Sequence, residues 1–154
     1  MFLYLVQHAE AKREEEDPQR PLSEKGIKDL KKVAVHVSRL NLKITQIFHS
    51  GKVRAKQTAE VLAESLKPAH GVKEIDGLSP LDDPAIWAER LEGITAGIVL
   101  VGHLPHLEKL ASLLLCGDKD KRIIAFKMGG IICLGRDDDR TWSLQWILAP
   151  DVVL

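Results

Sequence analysis

Phe2-Leu3-Tyr4-Leu5-Val6-Gln7-His8 opens the chain with a short unbroken apolar run that stops at a histidine, and Ile98-Val99-Leu100-Val101-Gly102-His103 repeats the arrangement far along the chain. Runs of this length, apolar at consecutive rather than alternate positions, read as strands buried on both faces. Such strands belong to sheets covered by helices on either side. In these sheets the residues just past the strands' carboxyl ends line the ligand crevice. The two runs therefore predict an α/β fold in which His8 and His103 face one bound group.

Working outward, Ala9 to Pro21 is dense in charge, with Glu14, Glu15, Glu16 and Asp17 in a row and Pro18 and Pro21 as punctuation, and reads as a surface loop. Ser23 has the chemistry of a helix N-cap, followed by Ile27, Leu30, Val33, Val37 and Leu40 at helical spacing. Thr45 to His49 is a second strand. Ser50 reads as the N-cap of the next helix, whose buried stripe is Val53, Ala59, Leu62 and Leu66, with Pro68 and Gly71 ending it. Val72 to Ile75 is a further strand, followed by a turn-rich stretch from Asp76 to Pro84 and a short helix through Trp87 and Leu91. After the strand at Ile98 to Val101, a helix runs from Pro105, at the favoured first helical position, to about Leu115. The tail reads as antiparallel β: Ile123 to Lys127, Ile131 to Leu134 and Thr141 to Leu148, with turns at Gly129-Gly130 and Asp137 to Arg140. Trp142 and Trp146 are assigned to one face of the last strand, packed on the core. The expectation is one domain, residues 1–154, a three-layer α/β/α sandwich around a mostly parallel mixed sheet.

Bulk properties narrow the function. A chain of 154 residues buries roughly 70% of its unfolded surface and needs no staple. Its 22 basic and 22 acidic residues give no general attraction to nucleic acid or an anionic membrane, so any anion site is built locally. Cys116 and Cys133 form no CxxC pair or zinc spacing and read as buried free thiols. The start Met1 to Val6 has no basic n-region, and no apolar run reaches membrane-spanning length, so the cytoplasm is the default address.

Transferring a phosphoryl group to histidine needs an unprotonated ring nitrogen, with the other nitrogen's proton held by an acceptor. It also needs cationic donors for the three non-bridging oxygens, a task that suits arginine's rigid fork. The chain offers His8 as nucleophile, Arg54 in the first turn of a helix where the dipole also favours an anion, Arg20 from the charged loop, and His103 as a further cationic arm when protonated. Singly, each has an ordinary explanation: a strand-end polar residue, a surface arginine, a loop charge, and for Ser50 a cap. Four of them in order on strand-end elements point to a phosphate site. His103-x-x-His106 and His8-x-Glu10 make poor metal ligands, because His106 lies in a helix and is expected to point away from the strand end. No metal or cofactor is implied. His49 carries no role in this reading of the residues, and His36 and His70 read as solvent-facing.

The segments Leu5-Val6-Gln7-His8-Ala9, Arg20-Pro21-Leu22-Ser23, Ser50 to Thr58 and Gly102-His103-Leu104-Pro105 together resemble the histidine phosphatase superfamily, most nearly its short SixA-type phosphohistidine phosphatases. The resemblance implies a phosphoglycerate mutase-like fold, a phosphohistidine intermediate on His8, His103 as its catalytic partner, and a phosphate pocket of Gln7, Arg20, Ser50 and Arg54. Where the family has Arg-His-Gly, this chain has Gln7-His8-Ala9, so a neutral amide replaces one pocket arginine. Ester-cleaving relatives protonate a departing alkoxide with a carboxylic acid, whereas imidazole leaving from phosphohistidine does not require it. Where relatives often place that acid, the chain offers Gly77 beside Asp76, and its length leaves little room for an inserted cap. These points favour a phosphorylated protein histidine, such as a phosphotransfer domain, as substrate. The alternatives are a small-molecule phosphomonoesterase using Asp76 or Glu10, and a phosphate-binding module whose turnover was lost with the arginine.

Overall fold

The computed structural model describes residues 1–153. Six strands form one sheet: β1 (Phe2–Gln7), β2 (Gln46–His49), β3 (Val72–Glu74), β4 (Ile98–Gly102), β5 (Ile131–Arg136) and β6 (Trp142–Leu148), in spatial order β3-β2-β4-β1-β5-β6. The first four strands of that order are parallel, and β5 and β6 add antiparallel pairs. The expected α/β class and mostly parallel mixed sheet are both present.

Alternation along the strands divides the core in two. Tyr4, Val6, Val99 and Val101 point to one side, where α1 (Glu24–Ser38) and α2 (Val53–Leu66) cover them. Leu3, Leu5, Ile98 and Leu100 point to the other, under α3 (Pro84–Glu92) and α4 (His106–Cys116). Both faces are dry, as the unbroken apolar runs require.

The helix starts differ in how well they were legible. The Ser23 hydroxyl accepts from the Gly26 amide at 3.0 Å, an N-cap as expected. Ser50, read as a cap, is not one: the cap position of α2 is Lys52, with no side-chain cap bond, and Ser50 is turned toward His103 instead. Pro105 sits one place earlier than expected, at the cap position of α4. Helix α1 stops before Leu40, which is 44% exposed, and Val53 and Ile27 are only half-buried.

The tail brings three further corrections. Ile123 to Lys127 is not a strand. Its inward residues Ile124 and Phe126 do pack on the second core cluster. However, β5 already has β1 on one edge and β6 on the other, so the segment has no free edge there to pair with. Trp142 and Trp146 lie on opposite faces: the register slips between Cys133 and Leu134, so Trp146 joins the first core cluster and Trp142 the second. A bulge adds one residue and inverts the alternation beyond it. Cys133 is buried, but Cys116, at the end of α4, is exposed.

Glycine is required at one packing point near the strand ends. A Cβ on Gly26 would overlap the Glu10 carbonyl oxygen. That oxygen also accepts from the Ser23 amide at 2.9 Å, so the close approach of α1 ties its first turn to the chain two residues beyond His8. Overpacking of this kind costs about 1–3 kcal/mol. Gly26→Ala is expected to lower the urea unfolding free energy by that amount, whereas Gly93→Ala, where the backbone is right-handed (φ −94°) and a Cβ comes no closer than 4.0 Å to a neighbour, is expected to cost less than Gly26→Ala.

Candidate active site

The parallel register fixes where the chemistry-bearing residues emerge. Gln7 pairs with Gly102, and His49 pairs with Val101, so His8, His103 and Ser50 each follow immediately at the carboxyl ends of neighbouring strands. The ladder runs one step further, with the His8 amide donating to the Gly102 carbonyl at 3.0 Å. The imidazole rings of His8 and His103 come to 5.1 Å between centroids, inclined by 50°.

Each ring is held from behind. His8 Nδ1 lies 2.8 Å from the Ala9 carbonyl oxygen, which only accepts, so Nδ1 carries the proton and Nε2 keeps its lone pair. The Ala9 amide donates to Thr58 Oγ1 at 3.0 Å, and the Thr58 hydroxyl donates to the Arg54 carbonyl at 2.7 Å. This fully buried threonine ties the His8 turn to the first turn of α2. Thr58 lay inside the Ser50 to Thr58 segment of the sequence but was not singled out, because a threonine on a buried helix face carries no signal of its partner. Ala9 is accommodated without left-handed backbone, which removes the reason for requiring glycine there.

His103 Nε2 and the Ser50 hydroxyl are 2.6 Å apart, while His103 Nδ1 is buried without a partner among the protein's own groups. Arg54 Nε, on the second residue of α2, is likewise buried and unpartnered. A buried donor left unpaired costs about 1–3 kcal/mol, and here it sits at a helix N-terminus, where backbone dipoles favour an anion. Arg20 arrives from the charged loop with left-handed backbone (φ 50°), held by its amide on the Asp17 carbonyl at 2.9 Å and its Nε on the Lys12 carbonyl at 3.1 Å. Non-glycine residues adopt this conformation only where surrounding bonds impose it. Gln7 is half-buried at the end of β1, its carbonyl accepting from the Gly129 amide at 2.9 Å.

Burial is the main electrostatic influence on the rings. It lowers the pKa of His8 to about 4, assisted by Arg54 and Arg20 and opposed by the Ala9 carbonyl. Burial, then His8, Arg54, Lys52 and His106, lower His103 to about 3. Both rings are therefore neutral near pH 7, so the condition set for His103 as a cationic arm, that it be protonated, is not met in the unliganded site. Arg54 is also pushed down from its usual value, by burial and then by Arg20.

The remaining candidates are occupied or remote. The Glu10 carboxylate accepts from the Ser23 hydroxyl at 2.7 Å. Asp76 Oδ1 receives Arg90 Nη2 at 2.8 Å, and its carbonyl receives Arg90 Nη1 at 2.9 Å. His49 Nδ1 accepts from the Gly51 amide, shaping the turn before α2. His106 is fully buried with both ring nitrogens unpartnered, while His36 and His70 are exposed. Among the described residues no group of three or more His, Cys, Asp or Glu side chains is placed to hold a metal ion. Beside the histidines, a cleft of about 440 Å3 opens along the ends of β2 and β3, lined by Ser50, Gly51, Lys52, Glu74, Ile75, Asp76 and Ser79. Lys52 lies inside the Ser50 to Thr58 segment and Glu74 in the third strand, but in sequence neither sits in a pattern that distinguishes it from a solvated charge.

Residues 3–82 match the model of the histidine phosphatase superfamily (branch 1). The chain belongs to the histidine phosphatase superfamily. It is 36% identical over 165 residues to an uncharacterized protein of Picosynechococcus, covering 96% of this chain and 99% of that one. It is 22% identical over 155 residues to the phosphohistidine phosphatase SixA of Escherichia coli, covering 97% and 94%. A solved structure of the protein histidine phosphatase SixA complexed with tungstate superposes with a TM-score of 0.84 at 22% identity, covering 98% of each chain. The matched model ends at residue 82, so the His103 strand lies beyond it and is joined to the site by the fold. No helix among the described residues is long and apolar enough to cross a membrane.

The depressed histidines make stability depend on pH. An unfolded histidine takes up a proton near pH 6.5, whereas His8 and His103 resist until about 4 and about 3. Between these values the unfolded chain binds more protons, so their contribution is intact above about pH 6.5 and is lost as pH falls through that window. The urea midpoint is expected to drop between pH 7 and pH 4.5, and the His8→Ala/His103→Ala double variant to show a shallower drop. Parallel curves for the two proteins would show that the rings titrate normally.

Proposed function

We propose that this superfamily member is a metal-independent phosphohistidine phosphatase, with His8 as nucleophile and a phosphorylated protein histidine as substrate. The observation that supports this best is the His8 ring itself: its Nδ1 proton is committed to the Ala9 carbonyl, it is neutral, and it stands beside His103 and two arginines. With the substrate's ring protonated on its other nitrogen, His8 Nε2 attacks phosphorus, the bond from phosphorus to the substrate's ring nitrogen breaks, and its electron pair stays on the imidazole, which departs neutral. Water then attacks phosphorus and gives up one proton to solvent, the bond to His8 breaks with its electron pair returning to Nε2, and inorganic phosphate leaves with His8 restored. Arg54 and Arg20 neutralise the equatorial oxygens, since this chemistry is mostly positioning and electrostatics. His103, held neutral mainly by burial, donates a ring N–H to the phosphoryl group.

Two observations favour nitrogen over oxygen as the leaving atom. The carboxylates suggested as ester acids are engaged elsewhere, Asp76 by Arg90 and Glu10 by Ser23. Gly77, buried and with φ +85°, brings no side chain to the position between Asp76 and Leu78.

The test is a time course of phosphate release from a phosphohistidine protein, with EDTA present and para-nitrophenyl phosphate alongside. Wild type is expected to release phosphate from the protein substrate, and His8→Ala to lose at least about a thousandfold in rate, in the range seen when a nucleophile is removed. Asp76→Asn and Glu10→Gln are expected to change phosphohistidine turnover less than threefold. If either abolishes ester hydrolysis while phosphohistidine is untouched by wild type, the protein is a phosphomonoesterase. If neither substrate turns over and Gln7→Arg creates activity, it is a phosphate-binding module.

A further inference from the structure

A phosphoryl group in transfer spreads its negative charge over three equatorial oxygens. The pocket supplies two fixed cations, Arg20 and Arg54, while Gln7 is neutral and burial holds His103 neutral. One more positive charge stands next to these groups. Lys52 occupies the cap position of α2, two residues before Arg54, with its side chain making no cap bond. Its amide lies 3.4 Å from the Ser50 hydroxyl, the same oxygen that is 2.6 Å from His103 Nε2. Among the described residues it forms no ion pair, although Glu74 and Asp76 line the same cleft, and Asp76 is held by Arg90. The ammonium is therefore exposed and uncommitted, and its field reaches the His103 ring.

We propose that Lys52 is the third cation of the phosphate pocket, closing over the phosphoryl group from the cleft side and supplying the charge that Gln7 lacks. The proposal rests on the phosphatase reading of this pocket. The division of labour follows from the side chains. Arg54, with its buried Nε, is a fixed fork at the helix start, while lysine is a compact charge on a flexible stem that can follow an oxygen facing solvent.

The experiment is calorimetric titration of inorganic phosphate into the full chain, together with phosphate inhibition of turnover. Lys52→Met is expected to weaken phosphate binding about ten- to a hundredfold, the size of one charge-assisted hydrogen bond. Lys52→Arg should stay within about threefold of wild type, because it keeps a charged donor. Adding Gln7→Arg to Lys52→Met should recover most of the lost affinity. Lys119→Met, which removes an equal charge from an exposed loop, should change nothing. If Lys52→Met binds phosphate like wild type while Arg54→Met has lost it, the lysine has no part in the pocket and the pocket itself stands. If Arg54→Met also binds like wild type, the phosphate reading of the site fails, and the lysine's role with it.

Discussion

The parallel pairing of β1 with β4, and of β4 with β2, sets the geometry on which the site depends. Because Gln7 faces Gly102 and His49 faces Val101, three strands end within one residue of the same height, and the next residue of each is His8, His103 or Ser50. A slip of one residue would do more than misplace a histidine. With a side-chain period of two, it would also turn Val6 and Val101 away from the first core cluster and Leu5 and Leu100 away from the second. Since both faces are buried, either error exposes apolar surface. Core packing and the position of the candidate site are thus enforced by the same register.

That register creates an electrostatic problem which the protein leaves unresolved. Two imidazoles and an arginine are drawn into a dry corner, and burial and mutual repulsion keep the rings neutral. Arg54 Nε and His103 Nδ1 are left without partners. Elsewhere the chain satisfies buried charge thoroughly: Arg136 reaches the Leu91 carbonyl at 2.6 Å and the Ile94 carbonyl at 2.7 Å at the end of α3. The contrast between Arg136 and Arg54 separates an arginine that braces the fold from one whose donors are kept for something else. An anion at the start of α2 would gain from the helix dipole, from the orphaned donor, and from relieving the repulsion between Arg20 and Arg54.

Much of this could be read from the sequence, and the remainder failed for identifiable reasons. The apolar runs ending at His8 and His103 gave the central strands, because burial on two faces leaves a pattern no other element shares at that length. Ser23 was read correctly as a cap because its partner is local, three residues away. Ser50 was misread because its partner is His103, on another strand, and a serine before a helix looks the same in either case. The missed bulge at Cys133/Leu134 misplaced Trp146, and the supposed strand at Ile123 to Lys127 has a strand's alternation but uses it to pack Ile124 and Phe126 on the core without pairing into the sheet. Lys52 and Thr58 act, or are proposed to act, through neighbours distant in sequence, and composition alone cannot mark them.

The commitments of the carboxylates bear on what kind of bond this pocket suits. A general acid must be free to approach the leaving atom with a proton to give, and such acids are kept protonated near neutrality by burial or by a like charge. Asp76 is in the opposite situation: its side chain is 80% exposed and its carboxylate is engaged by Arg90. Glu10 is bound to the Ser23 hydroxyl that caps α1, so drawing it toward a substrate would unfasten the helix start. Glu74 lines the cleft but is exposed, with its carboxylate against Gly51. An alkoxide leaving group would find no buried acid among these three. An imidazole protonated on its other nitrogen leaves as a neutral, weakly basic ring and has no need of one, which is the bond that the proposed function assigns to this pocket.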